Sequence, residues 1–240
     1  MSQMRRIDLN SDLGEGFGPW SMGDDAAMMD VATSANVACG GHAGDPETMF
    51  VTLSFAAQRG VVVGAHPGYA DREGFGRRPM DVAHDRLADW VAVQIATLTE
   101  IATAAGTTVR YVKPHGALYN RVVDDASQAA AVLAGSARLP VVGLPGSVLL
   151  DLAERAARTV VPEGFPDRGY TAAGRLVPRG EPGALITAAG EVAANAVALA
   201  GHRDVRTVCV HGDSPGAVEA ALAVRAALEG AGYLIRPWIE

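Results

Sequence analysis

Short apolar runs rich in valine and isoleucine alternate along the chain with longer alanine-rich stretches, in which apolar residues recur every three or four positions. The first pattern is typical of buried parallel strands, and the second of helices that cover them. We predict seven strands and a candidate eighth, at residues 6–10, 35–39, 60–65, 109–113, 139–144, 158–162, 206–211 and 233–238. We predict helices between them, at residues 45–60, 81–106, 124–137, 146–157, 187–201 and 214–232.

This alternation fits either an open doubly wound sheet or a closed barrel. The phosphate-binding motifs of the open class are missing, because Pro19 takes the third glycine position of a G-x-G-x-x-G pattern and Lys113, the only lysine, is followed by proline. We therefore predict an α/β fold made of a single (β/α) barrel, seven-stranded and TIM-barrel-like. No linker or low-complexity stretch is seen, so we expect one domain over residues 1–240, with its core at about 6–238.

The composition narrows the classes of partner. The net charge is −7 and the pI about 5.4, with 49% hydrophobic and 20% charged residues. This composition is typical of a globular protein and offers no basic surface for nucleic acid or anionic lipid, so we expect neither nucleic acid nor membrane as a partner. No membrane span or signal peptide is apparent, and the two cysteines, Cys39 and Cys209, are expected to be buried thiols. The chain is therefore predicted to be cytoplasmic.

The residues with chemical potential stand just after the predicted strands. In a parallel barrel the carboxyl ends of the strands share one rim, so residues far apart in sequence are expected to meet there. Four of the six histidines follow strands beside small residues: His42, His66, His115 and His211. The other polar residues at these strand ends are Asn10, Asp12, Glu15, Lys113, Glu163, Arg168 and Asp213. We predict that this set forms one polar site.

Lys113 is set apart because every other positively charged residue, apart from histidine, is an arginine. An ammonium group is a compact point charge with an adjustable pKa, whereas guanidinium is a wide fork that stays charged. We therefore interpret Lys113 as a functional residue, supported by His115 two positions later.

Some polar residues are expected to have structural roles only. Asp45 precedes a Pro-Glu pair at a helix start and is predicted to cap that helix. His84 and His202 fall in or at the end of helical stretches and are expected at the surface. Asp167 and Arg168 are adjacent, and an ordinary ion pair between them is the alternative to a functional role.

Seven motifs in this order resemble the LamB/YcsF family over nearly the whole chain: "IDLNSDLGEGFG", "ANVACGGHAGD", "GAHPGY", "GFGRR", "VKPHGALYN", "DRGY" and "CVHGDSP". The resemblance implies a barrel related to sugar hydrolases and deacetylases. It also implies the activity of the A component of a bacterial ATP-dependent 5-oxoprolinase. That enzyme opens 5-oxo-L-proline to L-glutamate, coupled to ATP hydrolysis, in a complex with subunits B and C. Two positions depart from the family pattern: Gly41 stands in place of a bulky aromatic residue, and Pro166 in place of a small one.

The resemblance implies site positions, to which we assign roles as hypotheses. The catalytic candidates are Asp12, Glu15, His66, Lys113, His115 and His211, and the candidates for binding substrate or phosphate are Asn10, His42, Glu163, Arg168 and Asp213. Lys113 is expected to face phosphate or an oxyanion, and His115 and His211 to act as acid or base. Asp12 and Glu15 are expected to be bases or ligands of Mg²⁺ carried by ATP, with no tightly bound cofactor.

Two other functions remain open at this point. A metal-dependent, deacetylase-like hydrolase would use Asp12, His42 and His66 as zinc or manganese ligands, although no H-x-x-x-H or H-E-x-x-H pair is present. A non-catalytic subunit that binds the lactam is the third alternative, because no P-loop marks an ATP site.

Overall fold

The computed structural model describes residues 5–18, 20, 22–202, 204–213 and 216–239. Its strands are β1 (Arg5–Leu13), β2 (Ser34–Ala38), β3 (Val62–His66), β4 (Val109–Val112), β5 (Val141–Gly143), β6 (Val160–Gly164), β7 (Thr207–Cys209) and β8 (Tyr233–Ile235). Each lies within or overlaps a predicted strand.

Seven parallel strands close into a ring, as predicted. Each of β1 to β6 pairs with the next strand in sequence, and β7 pairs with β1, which completes the circle. The candidate eighth strand is also present, but β8 pairs only with the first residues of β1, from Arg5 to Ile7, and lies outside the ring. The closed-barrel prediction is therefore confirmed.

Helices surround the ring: α1 (Asp25–Met29), α2 (Pro46–Arg59), α3 (His84–Ala104), α4 (Gly116–Arg121), α5 (Ala126–Gly135), α6 (Val148–Arg155), α7 (Ala189–Gly201) and α8 (Ala217–Gly230). Asp45 caps α2 as predicted, since its side chain accepts a hydrogen bond from the Thr48 amide. The short helices α1 and α4 were not predicted, because five or six residues are too few to show helical periodicity. The first two residues of the last predicted helix, 214–215, lie outside the described residues. Among the described helices, none is both long and apolar enough to cross a membrane.

The main apolar core lies between the strands and the helices, whereas the inside of the ring is mostly polar, apart from a small apolar cluster that includes Tyr111, Val142 and Val161. Alternate β1 residues Asp8, Asn10 and Asp12 are buried and bond to polar side chains on other strands of the ring. Leu9 and Leu13, which alternate with these residues along β1, belong to the main apolar cluster. Because successive side chains of a strand point to opposite faces, a single strand supplies both layers. The polar interior leads directly to the carboxyl rim.

Tyr111 fills the barrel interior opposite a glycine. A Cβ built on Gly64 would overlap the Tyr111 ring, so only glycine leaves room for it. The Tyr111 hydroxyl donates to Asn36 Oδ1 at 2.7 Å. Gly41 is similarly confined, since a Cβ there would overlap Gln94 Oε1. Gln94 thus occupies the space beside Gly41 and leaves no room for an aromatic side chain there.

Candidate active site

A cavity of about 490 Å³ opens at the rim where the carboxyl ends of the strands meet. Arg168 lines it, and so do all six catalytic candidates. These six are Asp12, Glu15, His66, Lys113, His115 and His211. Of the other predicted binding residues, Asn10, His42, Glu163 and Asp213 do not line this cavity. These four lie behind or beside the lining residues and contact them, so the geometry gives them supporting positions.

Lys113 is the centre of a buried ionic cluster. Its Nζ atom lies 2.9 Å from Asp12 Oδ1 and 3.0 Å from Glu163 Oε1, and the Cys209 sulfur is 3.2 Å away. An ammonium group has three N–H donors, and these three neighbours match them. Burial alone lowers the pKa of Lys113, but the neighbouring carboxylates of Asp12 and Glu163 outweigh it and hold this pKa well above its usual value. Lys113 is therefore a fixed positive charge at the floor of the cavity.

Asp12 connects the ionic cluster to two histidines. Its Oδ1 atom accepts hydrogen bonds from Lys113 and from Asn36 Nδ2, while its Oδ2 atom lies 3.2 Å from His66 Nε2 and 3.9 Å from His211 Nε2. Burial works against ionisation, yet His66 and Lys113 together hold the pKa of Asp12 well below its usual value. Asp12 is thus a buried, ionised carboxylate with one oxygen committed to Lys113 and the other facing imidazoles.

Three histidines and Glu15 are packed beside this cluster. His42 and His115 stack with ring centroids 3.6 Å apart, and His66 stands perpendicular to His115. Glu15 Oε1 lies 3.3 Å from His42 Nε2 and 3.4 Å from His115 Nδ1. Burial lowers the pKa of both His42 and His115 well below the usual value, and neighbouring histidines lower it further. Burial also raises the pKa of Glu15.

His211 is held by Asp167 on the opposite side of Asp12. Asp167 Oδ2 accepts from the His211 backbone amide at 3.0 Å and lies 2.7 Å from its Nδ1 atom. Burial opposes the charged form, but Asp167 outweighs it and raises the pKa of His211. Because Asp167 holds Nδ1, the other ring nitrogen of His211, Nε2, faces Asp12 and the cavity. This arrangement is suited to proton transfer.

Arginines form part of the cavity wall. Arg77 and Arg179 both pair with Asp213. Arg168 donates through Nε to the Ala184 carbonyl and through Nη2 to the Val177 carbonyl. The alternative considered for Asp167 and Arg168, an ion pair between them, is absent from the ion pairs of the described residues, because Asp167 pairs with His211 and Arg168 donates to these carbonyls.

Three residues of the site were missed from the sequence. Asn36 lies within an apolar strand and bonds to both Asn10 and Asp12. Cys209 was interpreted as a buried thiol, which it is, but its sulfur also contacts Lys113. Burial raises the pKa of Cys209 well above its usual value, so this sulfur stays protonated. The position of Asp167 after the sixth strand was a signal of function, but its partner, His211, follows the seventh strand.

The ligands predicted for the metal-dependent, deacetylase-like alternative were Asp12, His42 and His66, and the structure does not bring these three together as one group. Two groups of described side chains have the spacing of metal ligands: Glu15, His42, His66 and His115, and separately Asp12, Cys209 and His211. Asp12 therefore does not share a group with His42 and His66.

The fold places the protein in a broad structural class. The catalytic domain of a peptidoglycan N-acetylglucosamine deacetylase from Eubacterium rectale aligns with a TM-score of 0.56 over 99% of this chain and 90% of that chain, at 13% identity. At this identity the likeness shows the fold alone, which is that of the deacetylase-type α/β barrels.

The particular family follows from closer relatives. The chain belongs to the LamB/YcsF family, whose family model matches residues 7–240. It is 54% identical over 242 residues to the 5-oxoprolinase A subunit of Streptomyces coelicolor, covering 94% of this chain and 97% of that protein. It is 49% identical to a 5-oxoprolinase A subunit of Agrobacterium fabrum, with 97% and 98% covered. A lactam utilization protein from Thermus thermophilus aligns with a TM-score of 0.88 at 39% identity, covering 96% of this chain and 99% of that chain.

Proposed function

We propose that this chain is the lactam-handling A subunit of an ATP-dependent 5-oxoprolinase. In this proposal it hydrolyses the cyclic amide of 5-oxo-L-proline to L-glutamate, coupled to hydrolysis of ATP to ADP and phosphate, together with subunits B and C. The names of its near-full-length relatives support the substrate and the multi-subunit assembly. The observation that carries the proposal is the cavity, into which an ionised carboxylate, a buried ammonium and acid–base imidazoles converge.

A five-membered lactam is a resonance-stabilised amide with little strain, so water needs an activated carbonyl. Transfer of the ATP γ-phosphoryl group to the amide oxygen supplies this activation: the bond from phosphorus to the ADP oxygen breaks, and a bond to the lactam oxygen forms. Water then adds to the ring carbon. Loss of phosphate from that adduct would only regenerate the lactam, so the productive step breaks the ring C–N bond and protonates the nitrogen. Water finally hydrolyses the phosphorylated carboxyl group to glutamate and phosphate.

The residues divide this work by their charge and position. Lys113 supplies a fixed positive potential under the developing oxyanion, although its three donors are already matched by neighbours. His211, whose pKa is raised with Asp167 behind it, is the acid for the ring nitrogen. Asp12 is the base for the attacking water, which His66, 3.2 Å away, helps to orient.

The phosphate end of the substrate complex is proposed to lie along the arginine wall. Arg77, Arg168, Arg175 and Arg179 line the same cavity as the catalytic candidates. In this proposal ATP is a co-substrate that would bring Mg²⁺ with it. Asp12, which already bonds to Lys113, Asn36 and His66, and Glu15 stay the predicted ligands of that ion from this chain.

The test is reconstitution. The chain is mixed with the proposed B and C subunits, and phosphate release is measured with and without 5-oxoproline. We expect release that depends on the lactam and on all three chains, with glutamate formed in equal amount. No lactam-dependent release from any combination, with the B and C chains shown to be active alongside a different A chain, would overturn the assignment. Full release without this chain would reduce it to a non-catalytic role.

A further inference from the structure

A group of imidazole and carboxylate side chains next to Asp12 has the geometry of a metal site. Ligand atoms of Glu15, His42, His66 and His115 all lie within 4.8 Å of one another, and the four residues are buried. We propose that Glu15, His66 and His115 bind one divalent transition-metal ion of the zinc class, with a further coordination position open to the cavity that these three residues line. The proposal is independent of the proposed function, since it predicts metal binding whether or not the chain opens a lactam.

The hydrogen bonds of two rings fix where their protons are. His66 Nδ1 lies 2.8 Å from the Lys113 carbonyl oxygen, and His115 Nε2 lies 2.9 Å from the Phe75 carbonyl oxygen. A carbonyl only accepts, so both of these nitrogens carry hydrogen. In the neutral rings, the lone pairs are therefore on His66 Nε2 and His115 Nδ1. Backbone carbonyls commonly fix metal-binding histidines in this way.

These two lone pairs face each other with a carboxylate oxygen beside them. His66 Nε2 and His115 Nδ1 are 3.1 Å apart, and Glu15 Oε1 is 3.4 Å from His115 Nδ1. Three acceptors at such distances repel unless an electron-pair acceptor lies between them. A metal ion meets this need. The competing occupant is a proton on His66 Nε2, because this atom also lies 3.2 Å from Asp12 Oδ2 and can share the proton with Asp12 or with His115.

Two of the three separations match those between the ligands of one metal ion, whereas the ligand atoms of Glu15 and His66 lie farther apart, within 4.8 Å. Ligands with bonds of about 2.0–2.1 Å to a common ion are about 2.9 Å apart at a right angle and about 3.3 Å apart in a tetrahedron. The observed 3.1 Å and 3.4 Å are close to this range. Two imidazoles and one carboxylate with an open position are also a recurrent donor set of catalytic zinc and non-haem iron sites.

His42 belongs to this site as a positioning residue. Its ring is parallel to His115, with a 2° angle between the planes and a 3.6 Å centroid separation. An ion in the plane of the His115 ring would therefore lie far out of the plane of His42, so both rings cannot bind it without rotating. Instead, His42 Nε2 lies 3.3 Å from Glu15 Oε1, where it can donate to the carboxylate and hold it in place.

The test measures metal binding directly. The chelator-treated full chain is dialysed against Zn²⁺, and bound zinc is counted by mass spectrometry while affinity is measured by calorimetry. The variants are Glu15→Gln, which keeps the shape of the side chain, His115→Gln and His42→Gln. The matched control is His84→Gln, because His84 is an exposed histidine outside the cavity. Far-UV circular dichroism reports whether each variant is folded.

We expect one Zn²⁺ per wild-type chain and the same for His84→Gln, not displaced by millimolar Mg²⁺. The affinity for Zn²⁺ should fall by more than about a hundredfold in Glu15→Gln and His115→Gln. It should fall by about 10–100-fold in His42→Gln, because His42 orients the ligand Glu15 and does not bind the ion itself. If His115→Gln does not fold, Glu15→Gln decides. A wild-type chain that takes up no zinc, with His66 shown to be protonated by imidazole NMR, would overturn the proposal in favour of the shared proton. Variants that bind zinc as tightly as wild type would overturn it as well.

Discussion

Replacing Lys113 with methionine removes the positive charge from the buried ionic cluster while keeping a side chain of similar length. Lys113 is 1% exposed and Glu163 is not exposed at all, so the ion pair has almost no contact with solvent. Asp12 and Glu163, at 2.9 Å and 3.0 Å from the ammonium, become buried carboxylates without their counter-charge. Breaking a buried pair by removing one partner costs about 3–5 kcal/mol. We therefore expect Lys113→Met to lower the free energy of unfolding by about that amount at neutral pH.

The double variant Lys113→Met/Glu163→Gln separates this charge effect from packing. Glutamine keeps an oxygen that can accept from Asn10 Nδ2, which is 2.9 Å from Glu163 Oε1, but it carries no charge. Residues in one ionic network show coupling energies of about 0.5–3 kcal/mol. The double variant should thus be more stable than the sum of the two single changes predicts. Urea unfolding followed by circular dichroism gives all four free energies.

Either of two results would refute this reasoning. One is a loss below about 1 kcal/mol in Lys113→Met, the size of an exposed ion pair. The other is strict additivity in the double variant, which would mean that Lys113 and Glu163 do not interact. Lowering the pH should also reduce the loss in Lys113→Met, because the orphaned carboxylates then take up protons.

Two further predictions concern pH. Burial raises the pKa of Asp8 from 3.8 to about 6 although Thr207, Thr33 and Ser34 donate to it. A carboxyl that binds its proton more tightly when folded stabilises the protein below about pH 4 and loses this contribution as the pH rises through about 6. The free energy of unfolding of wild type relative to Asp8→Asn should therefore fall by about 2 kcal/mol between about pH 4 and about pH 7. A constant difference in denaturation experiments would contradict the assignment. Asp167→Asn should lower the pKa of His211, so the alkaline limb of the pH–rate profile of the reconstituted enzyme moves to lower pH; an unmoved limb would exclude His211 as the acid.

The convergence of the site was predictable because barrel closure is a geometric rule. Once seven parallel strands were inferred, residues after different strands had to share one rim. Asp12, His66 and Lys113 were placed together on that argument, and they are in contact. The roles assigned to these residues remain predictions.

The partners within the site were not predictable, since they depend on side-chain directions across the barrel. Asn36 looks like an ordinary member of an apolar strand until its neighbours on β1 are known. Asp167 is adjacent to Arg168 in sequence, yet it pairs with His211, which follows the next strand, β7. Glu163, placed at a strand end, points into the barrel toward Lys113.

The most direct test of the account is the rate of glutamate formation by the reconstituted complex when this chain carries Asp12→Asn. Asp12 joins the buried ammonium to His66 and faces His211, so the account predicts a loss of at least about a hundredfold in kcat, the scale of one positioned acid–base group. The complex should still assemble, as shown by co-purification with the partner chains. A correctly folded and assembled variant with a rate near that of wild type would contradict the account, because the chemistry would then take place elsewhere.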